Sequence, residues 1–163
     1  MIIHSNSGTS IVVENEDSIV KCISHDINEH YRVYENELHW LKLLKLDWIP
    51  KVRYSEYCMI VMDNKGETLT RENAPSDLKL QLNLRIHQLH FTNCYHNDIK
   101  PGNILIKKGK VNIIDFGWAT DKPEIPEHWP EKLGGDFRAD NGFNDFESAD
   151  KVMELINKTP SPT

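Results

Sequence analysis

The sequence predicts an α+β fold, with short strands around one helix in the first part and helices around a hairpin in the second. Three observations carry this. Apolar, β-branched runs recur at 11–13, 18–23, 52–54 and 57–62, separated by polar clusters such as Glu14-Asn15-Glu16-Asp17. A helical pattern occupies 29–46, where Val33, Glu37, Leu41 and Leu44 share one stripe. Two further apolar runs, 104–106 and 111–114, flank Lys107-Lys108-Gly109-Lys110 and read as a hairpin, with Gly109 free to take positive φ.

The helix at 29–46 ends before Pro50, which disfavours helical backbone at the preceding residue. Trp40 and Trp48 read as packing residues between helix and sheet. Glu37, a carboxylate within an apolar stripe, needs a cation, a proton or water, because burial alone is costly. Lys21 lies inside an apolar run, where a lysine is ordinarily an exposed edge-strand residue. The 76–93 segment alternates at Leu78, Leu80, Leu82, Leu84 and Ile86, yet also places Leu78, Leu82, Ile86 and Leu89 at helical spacing. It is too long for an ordinary strand, so a well-buried helix capped by Ser76 is expected. Residues 121–135, with Pro123, Pro126 and Pro130, predict an irregular segment. Asn144 to Glu147 resembles a capping box for a last helix with Phe146, Ala149, Met153 and Ile156 inward. The tail 159–163 is expected to be disordered.

Net charge is −6, which argues against a nucleic-acid surface. Cys22, Cys58 and Cys94 form neither a disulfide framework nor a zinc pattern, so a reducing, cytoplasmic setting is expected. His87, His90 and His96 lack a thiol or carboxylate at ligand spacing and read as polar or packing residues. No signal-peptide pattern opens the chain and no apolar run reaches membrane-spanning length, so no membrane partner is expected. Oligomeric state leaves no trace in the sequence.

The chemistry gathers in 95–119. His96-Asn97-Asp98-Ile99-Lys100, Asn103 and Asp115-Phe116-Gly117 are separated only by the hairpin strands, which should bring Asn103 and Asp115 near each other. Oxygen donors from Asp and Asn suit Mg²⁺, a further carboxylate can take a hydroxyl proton, and a lysine can steady a phosphoryl group. Transfer of phosphate from a nucleotide needs that set.

His-x-Asp-x-Lys-x-x-x-Asn followed by Asp-Phe-Gly resembles the catalytic loop and metal motif of the protein-kinase superfamily. The resemblance implies a protein kinase-like two-lobe fold: a small antiparallel N-lobe sheet with one helix, and a reduced helical C-lobe. It implies one domain over 1–158, with an N-lobe at about 1–64, a hinge at 63–67 and a C-lobe at 68–158. Carried over by position, Asp98 is the catalytic base and Lys100 the phosphate-steadying lysine. Asn103 and Asp115 hold Mg²⁺, while Lys21 and Glu37 form the ion pair that grips ATP. Met62 borders the adenine pocket, the backbone from Asp63 onward meets the base, and Glu67 reaches a ribose hydroxyl. His96 supports the loop.

Four positions depart from the family pattern. Ser5–Ser10 holds one glycine where the family has three, Asn97 replaces an arginine, and no Ala-Pro-Glu motif follows. Residues 121–147 lack Ser, Thr and Tyr, leaving Thr120 as the nearby phosphate acceptor. Site and receptor for a loop phosphate are both missing, so constitutive activity is expected. Lys100 resembles Ser/Thr protein kinases, whereas 101–105 is equally close to small-molecule phosphotransferases, and a non-catalytic binding module is the third reading. Nine acidic residues in 121–150 against three basic ones read as a solvated face, or as a groove for a basic protein substrate.

Overall fold

The computed structural model describes residues 2–6, 10–131, 133–140 and 142–158, with backbone alone for 2–6. Residues 7–9 of the expected glycine-loop remnant at Ser5–Ser10, and the tail at 159–163, lie outside the described residues. The chain divides into two compact units, Met1–Lys65 with Ile114–Ala119, and Gly66–Ile113 with Thr120–Thr163. The fold is α+β and protein kinase-like, as expected.

The first unit holds an antiparallel sheet of β1 (Ile2–Asn6), β2 (Ser10–Glu14), β3 (Ser18–Ile23), β4 (Val52–Glu56) and β5 (Met59–Asp63). Their spatial order is β1-β2-β3-β5-β4, so β3 is central. Lys21 pairs with Ile60 and Val12 in register, and Ile19 pairs with Met62, which places these residues on one face. Arg53 sits at the irregularity between Val52 and Tyr54 and ties the strand ends together, donating to Asp63 Oδ1 and to the Asp17 carbonyl, both at 2.8 Å.

The single helix expected at 29–46 is two helices, α1 (His25–Tyr31) and α2 (Val33–Leu43). Arg32, at φ 53°, breaks them apart without a glycine or proline. Asn28 makes the break favourable, because its buried Oδ1 accepts from Tyr34 N at 2.8 Å and caps the second helix. Val33, Tyr34, Trp40 and Leu41 of α2 are buried, as are Trp48 and Ile49 beyond it. Each such side chain contributes roughly 1.5–3 kcal/mol of burial.

The second unit is built on α3 (Leu78–Phe91) and a three-stranded sheet of β6 (Glu67–Thr68), β7 (Ile104–Lys107) and β8 (Lys110–Ile113), in that order. The hairpin is present. Lys108 and Gly109 take φ of 52° and 72°, which suits a two-residue turn closed by Lys107 and Lys110. β6 was not expected; two residues are too few to carry a period. The strand-helix conflict at 76–93 resolves as helix, with Leu78, Leu82, Ile86 and Leu89 buried. Leu80 and Leu84 are 70% and 51% exposed, so the helix is one-sided rather than buried all round, and its N-cap is Asp77, not Ser76. Gln81 Oε1 accepts from Val111 N at 2.9 Å and Arg85 donates to the Val111 carbonyl at 3.2 Å, covering the outer edge of β8.

α4 (Asp145–Asn157) packs on α3. Asn144 Oδ1 accepts from Phe146 N and Glu147 N, as a cap should. Glu147 turns to Asp140 N instead of returning to Asn144, so the box is half made. The buried positions are Asp145, Ser148, Ala149 and Val152, a face rotated from the expected stripe, with Phe146, Met153 and Ile156 half-buried. Packing beneath α3 selected the smaller side chains. Among the described residues, no helix is long and apolar enough to cross a membrane.

Candidate active site

In the first unit, β3 and α2 bring Lys21 and Glu37 together. Lys21 Nζ donates to Glu37 Oε2 at 2.6 Å and to Asp115 Oδ1 at 2.8 Å. Lys21 is 7% exposed on a central strand, so it is not the exposed edge lysine its residue type would ordinarily suggest. Burial lowers the Lys21 pKa, but Asp115 and then Glu37 outweigh it and hold the ammonium above its ordinary 10.5. Glu37 is pushed up to about 7, by burial first and by the like charge of Asp115, against the pull of Lys21. One cation serves two carboxylates. Glu37, the more buried, takes the strain.

Asp115 itself sits at φ 69°, and the segment after it is clamped from α2 at Gly117 and Ala119. Asn36 Nδ2 donates to the carbonyls of Gly117 and Ala119, each at 2.9 Å, and Trp40 Nε1 donates to Ala119 O at 3.2 Å. Trp40 is therefore a tether as well as a packing residue. A Cβ on Gly117 would lie 2.5 Å from Val33 Cγ1, so the motif's glycine is required by close approach. Phe116 is wholly buried. Asn36 escaped the sequence reading because its partners lie some eighty residues away in the chain.

Met62 and Asp63 close β5. Met62 is 5% exposed, on the face that carries Lys21, while the Asp63 carboxylate is committed to Arg53 and its N–H to the Lys51 carbonyl. Glu67 lies exposed on β6 in the second unit, in register with Ile106.

The second unit assembles Asp98, Lys100 and Asn103. Asp98 is 2% exposed, and its Oδ2 accepts from Lys100 Nζ and from Asn103 Nδ2, both at 2.8 Å. Asn103 Nδ2 also donates to the Asp98 carbonyl at 2.9 Å, at the end of a 3₁₀ turn spanning Pro101–Asn103. With its nitrogen on Asp98, the Asn103 amide has its oxygen left to meet a hard cation. Such an amide oxygen suits Mg²⁺ better than a thiol- or imidazole-seeking metal, and the Asp115 carboxylate of the first unit is a donor of the same kind. Among the described residues no group of three or more His, Cys, Asp or Glu gathers for a metal.

The loop holding Asp98 hangs on a residue the sequence reading left on the surface. Asp145 was one of nine acidic residues assigned to a solvated face, yet it is 3% exposed. Its Oδ2 accepts from His96 N at 2.8 Å and from His90 Nε2 at 2.9 Å, and its Oδ1 accepts from Asn97 N at 2.8 Å. Burial would raise its pKa, but His90, His96 and the two peptide donors prevail and hold it below the ordinary carboxylate range. Asn97 takes φ 64°, a conformation Asn tolerates, and its Nδ2 donates to Thr120 Oγ1 at 2.9 Å. Tyr95 and Thr120 exchange backbone hydrogen bonds at 2.9 Å beside it. His96 is fully buried and its Nδ1 accepts from Asp98 N at 3.3 Å, a supporting place rather than a reacting one.

The protein kinase domain family matches residues 4–132 of the 163. Among curated proteins, the chain is 29% identical to the Citron Rho-interacting kinase of Homo sapiens over 108 residues, covering 56% of this chain and 5% of that one. It is likewise 29% identical to the rat Citron rho-interacting kinase over 118 residues, 63% of this chain and 6% of that one. A "Probable bifunctional tRNA threonylcarbamoyladenosine biosynthesis protein" of Methanoculleus marisnigri is 32% identical over 77 residues, 47% of this chain and 14% of that one. The chain thus spans a small fraction of the length of the relatives it matches. A family match over most of the sequence meets a strand lysine bonded to a helix glutamate, and a buried aspartate bonded to the lysine and asparagine of its own loop: the chain belongs to the protein kinase family.

Proposed function

We propose that the chain transfers the γ-phosphoryl group of ATP to a Ser or Thr hydroxyl of a protein, with Mg²⁺ bound by Asn103 and Asp115. The observation that carries this reading is the bonding of Lys21 to both Glu37 and Asp115, which places a permanent cation, held above its ordinary pKa, where phosphate oxygens can replace a carboxylate. Asp98 takes up the hydroxyl proton, and Lys100, already 2.8 Å from its carboxylate, neutralises the transferring group. Mg²⁺, which Asn103 and Asp115 would hold, would supply positive charge against that of the phosphates. Met62, the backbone at Asp63 and Glu67 contact the nucleoside. Eight of the nine acidic residues of 121–150 remain for the surface once Asp145 is buried, which favours a basic protein substrate. The setting is the cytoplasm, in keeping with three free cysteines.

The test is transfer of labelled γ-phosphate by the whole chain to a basic protein, with Mg²⁺, beside Asp98→Asn and Asp115→Ala. Each variant should lose at least about a hundredfold in rate. Equal labelling by Asp98→Asn would remove the mechanism. Turnover with amino-alcohols but none with proteins would move the substrate to small molecules. A melting temperature unmoved by ATP and Mg²⁺ would leave a binding module.

A further inference from the structure

The first unit carries a groove that phosphoryl transfer does not use. It runs between the last turn of α2, the 44–51 loop and β4, and encloses about 770 Å³. Its floor is aliphatic, with Leu41, Leu44 and Ile49 buried there. Its rim carries Lys42, Lys45, Lys51 and Arg53, all exposed, against one carboxylate, Asp47. Arg53 is engaged by Asp63, whereas Lys42, Lys45 and Lys51 pair with no carboxylate among the described residues. On a chain of net charge −6, this is a local inversion of sign. Beside it, β4 is the last strand of the sheet.

Lysines beside a sheet edge, here on the last turn of α2 and the loop before β4, ordinarily guard it against pairing. They guard it against neutral and basic strands; an acidic strand meets the opposite effect. We propose that this groove docks an acidic segment of a partner protein. The segment lies extended along the β4 edge, with alternate apolar side chains over Leu41, Leu44 and Ile49 and its carboxylates at Lys42, Lys45 and Lys51. Nucleic acid fits less well. Among the described residues, Tyr54 is the one aromatic side chain along the groove, too few for successive bases to stack, and the floor beneath the lysines is aliphatic. The proposal lies wholly within the first unit and does not depend on phosphoryl transfer.

The probe is a short labelled peptide alternating glutamate with leucine, followed by fluorescence anisotropy on the whole chain. Lys42→Glu/Lys45→Glu/Lys51→Glu should weaken its binding about tenfold or more, because three favourable rim charges become unfavourable. These side chains are exposed, and an unchanged melting temperature would show that the variant is folded. In the complex, amide exchange across 52–56 should slow. Equal affinity in the triple variant, no detectable binding of the peptide, or an oligothymidylate of matched charge binding as tightly would each overturn the proposal. So would unchanged exchange in β4.

Discussion

Two buried carboxylates, Glu37 in the first unit and Asp145 in the second, are 1% and 3% exposed, yet their acidities move in opposite directions. Glu37 depends on one flexible cation that it shares with Asp115. Asp145 has three donors of its own, two of them peptide N–H groups on adjacent residues. Burial is the first cause acting on both, so the donors decide the sign. A shared cation leaves a site that can exchange partners, as the phosphate binding we propose would demand. Dedicated peptide donors leave a fixed post for the loop that carries Asp98.

The largest effect should follow from breaking the post. Asp145→Ala strands the N–H groups of His96 and Asn97 in a buried place, and we expect a loss of about 3 kcal/mol or more in urea unfolding. A loss below about 1 kcal/mol would show that the donors find other acceptors and that the contrast between the two sites is empty. The next effect is steric. Gly117→Ala drives a methyl against Val33, and we expect about 1–3 kcal/mol of destabilisation, recovered in part by Val33→Ala. Failure of the second change to recover stability would put the strain elsewhere.

Acidity sharpens the comparison further. The folded pKa of Asp145 lies below 3.8, so its contribution is complete above that value and is lost as pH falls through the folded one. Glu37 behaves oppositely: with a folded value of about 7 against 4.5, it keeps its proton longer when folded, and stability declines as pH rises between those limits. Urea midpoints followed from acid to neutral pH should therefore lose their acid limb in Asp145→Asn and their decline toward neutrality in Glu37→Gln. Superimposable profiles would refute both assignments. The smallest effect belongs to Thr120→Val, which removes the hydroxyl's two hydrogen bonds, a partly buried one from Asn97 and an exposed one to the Lys122 carbonyl, and should cost about 1 kcal/mol.

How much of this could be read beforehand differs between the same two sites. Lys21 and Glu37 were visible because each is a charge in an apolar run, a conflict that a short window exposes. Asp145 was invisible, since it stands among eight other acids and its partners lie forty-eight to fifty-five positions away. Periodicity found α3 but not its exposed side, because leucines at Leu80 and Leu84 look the same as those beneath them. The break at Arg32 was missed because a side chain, Asn28, does the work usually assigned to glycine.

The contact between Asn97 and Thr120 carries one more implication. An amide and a hydroxyl bear no net charge, so dissolved salt that dismantles ion pairs leaves this clasp intact, and a phosphatase finds nothing there to remove. The segment that begins at Thr120 is moored the same way in every ionic medium.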